Sequence, residues 1–338
     1  MKYFLPFFLL SLLVVSCEKE SSSITTSKQT ITTDDWVVSQ DYIRGQDAPY
    51  PVIENPTYLS VQEKTFPSEE LVLLFKSQEG IYVFPHSQLL PETINDLIDD
   101  QPIAITYCPI TGSGIGFNRI LNNDTLTLTA SGYLYNSNMA PLDIKSGAIW
   151  SQMLRQPLKG FAQQLDAFSL LETKWKNIED FFPDAKVFVV PEDSLISVTD
   201  RTDDIDDQIN PPTNVTLSNG DRYVGLPSGL NKTTLISYDS FGDEWSILPS
   251  ALSVGSEITV IGNKKMHLIL TFLKPEFKLF PINDRFPIIM RDDVGTEWDI
   301  FGHAVSGPRK GQKLKKPFSY VAYGFAWNNL FSKISVIE

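Results

Sequence analysis

Cysteine and histidine are scarce in this chain, which has only two cysteines and three histidines among 338 residues. The histidines, His86, His267 and His303, are far apart, and no two of them stand at the spacing of metal ligands. Soft metals need several thiolates or imidazoles about 2.0 to 2.3 Å from one point. The sequence therefore predicts no metal site built from the protein alone, and no cofactor.

Basic residues are also few, with 28 Lys and Arg against 41 Asp and Glu and a net charge of −13. Binding to nucleic acids depends on clustered Lys and Arg that neutralise phosphates. The charge balance therefore argues against a nucleic-acid partner. Long apolar runs are missing after the N-terminal segment, although about twenty apolar residues are needed to cross a bilayer as a helix.

The N-terminal sixteen residues, MKYFLPFFLLSLLVVS, combine one basic residue, an apolar run and a small Ser16 directly before Cys17. This pattern is typical of a secretory signal, and Val14-Val15-Ser16-Cys17 resembles the lipobox of bacterial lipoproteins. We predict a signal peptide over 1–16 and lipidation of Cys17, so that the membrane is a partner through the lipid. An ordinary secretory peptide cleaved nearby is the alternative. Residues 17–35 are polar, as in a flexible tether, and the predicted location is the cell envelope, on the periplasmic face or at the outer membrane.

The rest of the chain alternates short β-rich runs with turn residues, among them LVLLF, IYVFP, PIAITY and TLTLTAS. Helical periodicity is clearest in TKWKNIEDFF, where Trp175, Ile178 and Phe182 share a face and Pro183 ends the helix. The predicted fold class is mainly β with a few helices (α+β).

Two halves of the chain resemble each other on either side of an acidic connector at 198–222. The pairs that anchor this comparison are Thr106 with Thr271, Trp150 with Trp298 and Trp175 with Trp327. They predict two tandem pseudo-repeated β-rich lobes, at 36–197 and 223–338. Chance similarity between β-rich segments is the alternative. The second half lacks a segment of about seventeen residues and has Leu273 where the first half has Cys108.

Cys108 lies at the end of an apolar strand in ITYCPITGSGIGFNR, before a glycine-rich turn. Three interpretations stay open: a nucleophilic thiol, a metal ligand, or a packed small residue. Gly112, Gly114 and Gly116 are followed by strands rather than by a helix, which favours close backbone packing over a nucleotide site.

A dense polar run, SGYLYNSN, and Gln152 follow in the same half. Such side chains can orient a ligand against apolar walls, or they can satisfy buried backbone groups. Because the second half lacks this segment, we place any cleft in the first half. The candidate residues are Cys108, Ser131, Asn136 and Gln152.

Four segments together resemble a bacterial family known as DUF3179: DAPYPVIENPTYLSVQE (47–63), ITYCPITGSGIGFNR (105–119), SGYLYNSNM (131–139) and GAIWSQ (147–152). The segments GTEWDIFGHAVSGPRKGQKL and FAWNNLF resemble the closing motifs of that family. Its members commonly have Cys-Pro-x-Cys-Gly, where this chain has Thr111 at the second cysteine. They also have a histidine shortly before an Asn-Asp pair, where this chain has Pro91-Glu92. If those family groups bind metal or do redox work, the chain has kept one of three.

These observations predict a lipid-anchored envelope protein that acts as a binding or assembly module for an unknown small ligand or envelope protein. The alternative is a thiol-dependent or metal-assisted envelope enzyme that has lost part of a Cys-x-x-Cys site. Between the two, the sequence leans against an enzyme.

Overall fold

The structure, a computed structural model, describes residue 1 and residues 35–89, 93–160, 163–190, 214–215, 217–229, 231–249 and 257–337. Strands account for 46% of the residues, and two short α-helices are described, so the prediction of a mainly β fold with few helices is confirmed. No described helix has the length and apolarity that crossing a bilayer requires.

The strands before residue 191 are β1 (Ile43–Gly45), β2 (Ile53–Glu54), β3 (Tyr58–Ser60), β4 (Leu71–Lys76), β5 (Ile81–Pro85), β6 (Thr93–Ile98), β7 (Gln101–Cys108), β8 (Ser113–Asn118), β9 (Ile120–Leu121), β10 (Asp124–Thr125), β11 (Leu128–Tyr135), β12 (Asn138–Asp143), β13 (Ile149–Trp150), β14 (Pro157–Lys159), β15 (Ala167–Phe168), β16 (Leu171–Lys174) and β17 (Lys186–Phe188). Helix α1 (Trp175–Phe181) lies between β16 and β17 and buries Trp175 and Ile178, as the helical periodicity predicts.

The strands after residue 213 are β18 (Arg222–Pro227), β19 (Lys232–Ser237), β20 (Ser246–Ile247), β21 (Ile258–Asn263), β22 (Leu268–Leu273), β23 (Leu279–Pro281), β24 (Ile288–Asp292), β25 (Glu297–Asp299), β26 (Ala304–Ser306), β27 (Tyr320–Tyr323) and β28 (Lys333–Ile337). Helix α2 (Gly324–Leu330) lies between β27 and β28. The predicted signal peptide, Cys17, the tether up to residue 34 and residues 198–213 of the predicted connector lie outside the described residues.

Two sheets have the same strand order and the same strand directions. In sheet 1, strands β4 and β5 form a hairpin, and β16 pairs antiparallel with β4. Helix α1 follows β16, and the chain then returns as β17, which pairs parallel with β5. Strand β3 pairs with β17 and completes this sheet. In sheet 2 the hairpin β18–β19 has β27 antiparallel to β18, and after α2 the chain returns as β28, parallel to β19. Two halves with a common repeat would show this agreement in strand order and direction. The pseudo-repeat itself stays a hypothesis, and so do the lobe boundaries 36–197 and 223–338.

Four further sheets cover sheets 1 and 2. Sheet 3 has the order β15-β8-β7-β6-β2, and sheet 4 has the order β1-β11-β12-β13-β14. Sheet 5 has the order β20-β21-β22, and sheet 6 has the order β23-β24-β25-β26. Strands β9 and β10 form a separate hairpin around Asn122 and Asn123, both with positive φ.

Sheet 1 and sheet 2 are each buried on both faces, which is why their strands are continuous apolar runs rather than alternating patterns. One face of each packs within its own half: sheet 1 against sheet 3, and sheet 2 against sheet 5. The other face packs against the opposite half. There, Trp175 of α1 shares a core with Trp298 of sheet 6, and Trp327 of α2 shares a core with Trp150 of sheet 4. Residues of both halves therefore form both of the larger cores.

Candidate functional site

Three of the first-half segments singled out in the sequence meet in one buried hydrogen-bond network. The Asn138 amide nitrogen lies 2.8 Å from Gln152 Oε1, 3.0 Å from Thr111 Oγ1 and 3.2 Å from Ser113 Oγ. The Ser113 hydroxyl donates to Gln152 Oε1 at 2.7 Å and lies 2.9 Å from Thr111 Oγ1. All four side chains are buried. They come from the β7–β8 turn with the start of β8, from the start of β12 and from the segment just after β13, so contact between sheets 3 and 4 creates the network.

The amide of Gln152 extends this network into sheet 3. Its nitrogen donates to Thr106 Oγ1 at 2.9 Å and to the Ser113 carbonyl at 3.2 Å, and Thr106 in turn donates to the Ile115 carbonyl. Buried polar groups that are fully paired make a core rigid and specific. Gln152 therefore connects sheet 3 to sheet 4.

Cys108 lies beside this network and is 1% exposed. Its sulfur accepts a hydrogen bond from the Met139 backbone N–H at 3.4 Å, and its neighbours are apolar: Tyr50, Ile110, Ala130 and Met139. Reactive thiols are partly exposed and lie near a cation or an imidazole. The surroundings of Cys108 resemble those of a packed residue.

Ser131 and Asn136 belong to the β11–β12 hairpin. The Ser131 hydroxyl donates to the Ala140 carbonyl at 2.6 Å and accepts from the Tyr133 N–H. Asn136 and Ser137 form the hairpin turn with φ of 49° and 66°. The Asn136 backbone N–H donates to the Tyr42 carbonyl at 3.1 Å, and its buried amide oxygen has no hydrogen-bond partner in the described part of the chain. Of the four candidate residues, Gln152 belongs to the network and Cys108 lies beside it. Ser131 and Asn136 lie in the adjoining β11–β12 hairpin.

The glycine between Thr111 and Ser113 connects the network to the second half of the chain. Gly112 has φ of +61°, and its carbonyl accepts a 2.8 Å hydrogen bond from the Arg222 guanidinium. A Cβ at this position would lie 2.3 Å from Arg222 Nη1 and 2.7 Å from the Tyr323 ring. Only glycine allows this approach.

Arg222 forms an ion pair with Glu172 at the junction of the two halves. The carboxylate on β16 accepts from Arg222 Nε at 3.1 Å and from Arg222 Nη2 at 2.5 Å, which is the two-pronged geometry that suits a guanidinium. The side chain of Glu172 is 1% exposed and that of Arg222 is 10% exposed. Water screens such a pair very little.

Two histidines flank the same carboxylate, one from each half. His267 Nε2 lies 3.2 Å from Glu172 Oε1, and His86 Nε2 lies 3.4 Å from Glu172 Oε2. His86 follows β5, and His267 is in the turn between β21 and β22, with φ of 50°. The sequence suggested that these histidines were scattered, and the tertiary structure places both at Glu172. We call these four residues, Glu172, Arg222, His86 and His267, the junction cluster.

Aromatic rings cover the junction cluster. His86 packs on Tyr107 with ring centroids 4.3 Å apart, and His267 stacks on Tyr238 at 4.1 Å. The guanidinium of Arg222 lies 4.7 Å from the centre of the Tyr323 ring. These contacts exclude water from one side of each charged or polar group.

The ionisation of the junction cluster follows from burial and neighbouring charge. Burial alone would raise the pKa of Glu172, but the Arg222 charge and the His267 hydrogen bond outweigh burial and lower the pKa to about 2. Burial lowers the pKa of His86 to about 4, and Glu172 opposes that shift only in part. At neutral pH the cluster therefore holds a charged Glu172–Arg222 pair beside a neutral His86.

A narrow crevice of about 20 Å³ reaches the junction cluster between Ser169–Glu172 of the first half and strands β18, β22 and β27 of the second. Tyr238 lines it, and the buried hydroxyl of Tyr238 has no partner among the described residues. One water molecule needs about 10 to 15 Å³ measured in this way. The crevice admits one or two waters.

Within the described ranges, no set of three or more His, Cys, Asp and Glu side chains is arranged to hold a metal ion. At the junction cluster a metal ion would need the Glu172 carboxylate as a ligand, but the Arg222 guanidinium already donates to both of its oxygens.

Sequence reasoning missed Glu172 and Arg222 completely. The sequence signal for these two charged residues was weak. Glu172 directly follows two leucines, and Arg222 is the first residue of the largely buried strand β18. A charged residue inside an apolar strand needs a partner, but the sequence does not say which residue it is.

Comparison with known proteins gives one match. The family described as "Protein of unknown function (DUF3179)" matches residues 48–333. Among curated proteins and among solved structures, nothing matches the chain. The match covers most of the chain, so the protein belongs to the DUF3179 family, in agreement with the resemblance seen in the motifs.

Proposed function

We propose that this member of the DUF3179 family is a lipid-anchored protein of the cell envelope that acts as a binding or assembly module. Its recognition region is the first-half network with the adjoining β11–β12 hairpin, around Cys108, Ser131, Asn136 and Gln152. The partner is a small ligand or another envelope protein.

The observation that carries the binding proposal is the convergence of three sequence segments on one paired network next to the turn at Asn136. Gln152 and Asn138 hold the end of the hairpin rigidly, while the amide oxygen of Asn136 at its tip has no hydrogen-bond partner among the described residues. Tyr42, which is 44% exposed, packs edge-on against Tyr135 beside this turn. Rigid aromatic residues beside polar groups are typical of recognition surfaces.

The anchoring proposal is supported by the sequence before Cys17. Cells that express the full chain are fed an alkyne fatty acid, and the label on the protein is compared between wild type and Cys17→Ser. Label on the wild type alone supports lipidation at Cys17. An unlabelled wild type, or equal label on both, contradicts it.

The binding proposal is tested with a photo-crosslinking amino acid in the same cells. We expect a discrete crosslinked product with the probe at Tyr42 and none with the probe at Val294, an exposed residue of the second half. The product should weaken with Asn136→Ala at unchanged protein level. Identical products from both positions would contradict a recognition surface in the first half.

The enzyme alternative depends on Cys108. The Cys108 thiol is buried among apolar residues and accepts a backbone hydrogen bond. These surroundings are those of a packed residue, which favours the binding module. Titration of the native protein with a thiol reagent between pH 6 and 9 distinguishes the two. A rate far below that of a free thiol is expected, whereas rapid reaction near neutral pH would favour the thiol enzyme.

A further inference from the structure

The junction cluster is not explained by the recognition region, although the two are in contact. Its members come from both halves, and no backbone sheet pairing joins β16 of the first half to β18 or β22 of the second. At this position the halves are connected by the contacts of the Glu172 carboxylate and by the Tyr323 N–H, which donates to the Thr111 carbonyl at 2.9 Å. Any movement of one half away from the other there must break the Arg222 and His267 contacts with Glu172.

The crevice beside the cluster does not supply a ligand site, because it has room for one or two water molecules and nothing larger. It does bring water to within the reach of Tyr238 and Glu172, which both line it. The cluster therefore has a route for solvent while its charged groups stay buried.

His86 contributes a buried atom to the cluster, Nε2, that has no hydrogen-bond partner in the described part of the chain. Its Nε2 lies 3.4 Å from Glu172 Oε2 without hydrogen-bond geometry, and its ring packs on Tyr107 of β7. The other groups that face it are Arg222 of β18 and His267 of the β21–β22 turn; Tyr238 and Tyr323 are stacked behind those two. A proton taken up by His86 would therefore place a second positive charge beside Arg222.

We propose that the junction cluster is an acid-sensitive latch between the two halves, which opens as His86 takes up a proton. Opening separates Arg222 from Glu172 and from the Gly112 carbonyl, so the turn that carries Thr111 and Ser113 loses its contact with Arg222. The inference deepens the proposed function, because that turn belongs to the recognition region: acid would regulate access to it.

The direction of the pH effect follows from linkage. The pKa of His86 is about 4 when the latch is closed and returns to its ordinary value near 6.5 when it opens. The open form therefore binds more protons between these two values, and acid favours opening there. One group gives at most about a tenfold change in the opening equilibrium per pH unit. Titration of His86 between these two pKa values therefore raises opening about 40-fold from pH 6.5 to 4.5, and the His86 effect levels off below pH 4.

The experiment is hydrogen exchange on the full mature chain, corrected for the intrinsic pH dependence of exchange. Three junction amides report on the latch: Leu89, which donates to His86; His267, which donates to Lys264; and Tyr323, which donates to Thr111. We expect their protection to fall about 40-fold between pH 6.5 and 4.5 in the wild type. In His86→Gln this fall should disappear, whereas the matched variant His303→Gln should keep it, because His303 interacts with Asp299 and not with Glu172.

A second measurement needs no variant. The ring proton signals of His86 in the wild type should titrate with a midpoint well below 5. A midpoint near 6.5, or pH-independent protection of the three amides, would overturn the latch. Neither readout depends on lipid or partner, so a failure of the latch and a failure of the proposed envelope function are recognised separately.

Discussion

At the scale of single residues, the Glu172–Arg222 pair is the most consequential contact at the junction. A buried ion pair is not by itself strong evidence of stability, because both charges lose their hydration. Removing one partner is different, since it leaves the other charge buried and alone. His86 cannot replace Arg222, because at neutral pH burial keeps His86 uncharged.

We therefore expect Glu172→Gln to lower the free energy of unfolding by about 3 to 5 kcal/mol at pH 7. Glu69→Gln is the matched control, because Glu69 pairs with Lys174 at the exposed surface and its loss should change stability much less than that of Glu172. Urea denaturation measures both. Equal effects of the two substitutions would contradict the role given to Glu172.

The same pair sets a pH dependence. The pKa of Glu172 is lowered to about 2 in the folded protein, so its contribution is complete above its ordinary pKa of 4.5 and is lost as the pH falls towards 2. The difference between wild type and Glu172→Gln should thus be constant from pH 5 to 7 and shrink below pH 4.5. A difference that grows on acidification would refute this assignment.

Gly112 tests the contact between the network and Arg222. Gly112→Ala should cost about 2 to 4 kcal/mol, because it combines a left-handed backbone with a clash against Arg222 and Tyr323. Gly147→Ala is the control: φ is +74° there too, but no atom lies within 4 Å of the added Cβ. We expect about 1 kcal/mol for the control. Thermal and urea unfolding of both variants give the comparison.

At the scale of elements, the β11–β12 hairpin has a tight turn with one residue type that is not ideal for it. Two-residue turns with positive φ at both positions favour Asn-Gly, whereas this chain has Asn136-Ser137. The sequence did not mark this turn, because a serine there is compatible with many loop conformations. Its geometry became evident only from the pairing of Tyr135 with Asn138.

Ser137→Gly should consequently stabilise the protein by about 0.5 kcal/mol, since glycine adopts φ of 66° without strain. Ser39→Gly is the control, because Ser39 has φ of −63° and its side chain accepts from the Asp41 N–H. There we expect no gain. Differential scanning calorimetry detects both effects, and a loss of stability in Ser137→Gly would show that the hydroxyl has a role that the turn geometry does not reveal.

Helix α1 and the strand β7 show what local sequence can predict. The apolar spacing in TKWKNIEDFF requires burial of Trp175 and Ile178, and both have no exposed surface. The glycines after Cys108 serve close packing, as expected: Gly114 faces Leu73, and Gly116 faces the Phe168 ring. These predictions succeed because period and side-chain size act over a few residues.

At the scale of the whole molecule, the larger cores contain residues of both halves. Trp175 shares one core with Trp298, and Trp150 shares the other with Trp327. Each of sheets 1 and 2 would expose one apolar face if the other half were removed. The halves therefore depend on each other for burial of these faces.

Residues 36–197 and 198–338, expressed separately, should each fail to unfold cooperatively, because exposed apolar faces cost about 25 cal/mol for every Å² returned to water. Expressed together, they should form a soluble one-to-one complex with a circular dichroism spectrum like that of the intact chain. Size-exclusion chromatography and thermal melts measure this. A cooperative transition in either fragment alone would mean that its core is sufficient.

The sequence by itself determined the β-rich class, helix α1 and the family, because these depend on local periodicity, residue size and short motifs. It also predicted two related halves and an anchor at Cys17, which stay predictions. Only the tertiary structure decided that the tryptophan cores are shared between halves and that His86, Glu172, Arg222 and His267 meet. The reason is physical: these contacts join residues far apart along the chain, and strand pairing and burial, not spacing in the sequence, bring them within a few ångströms.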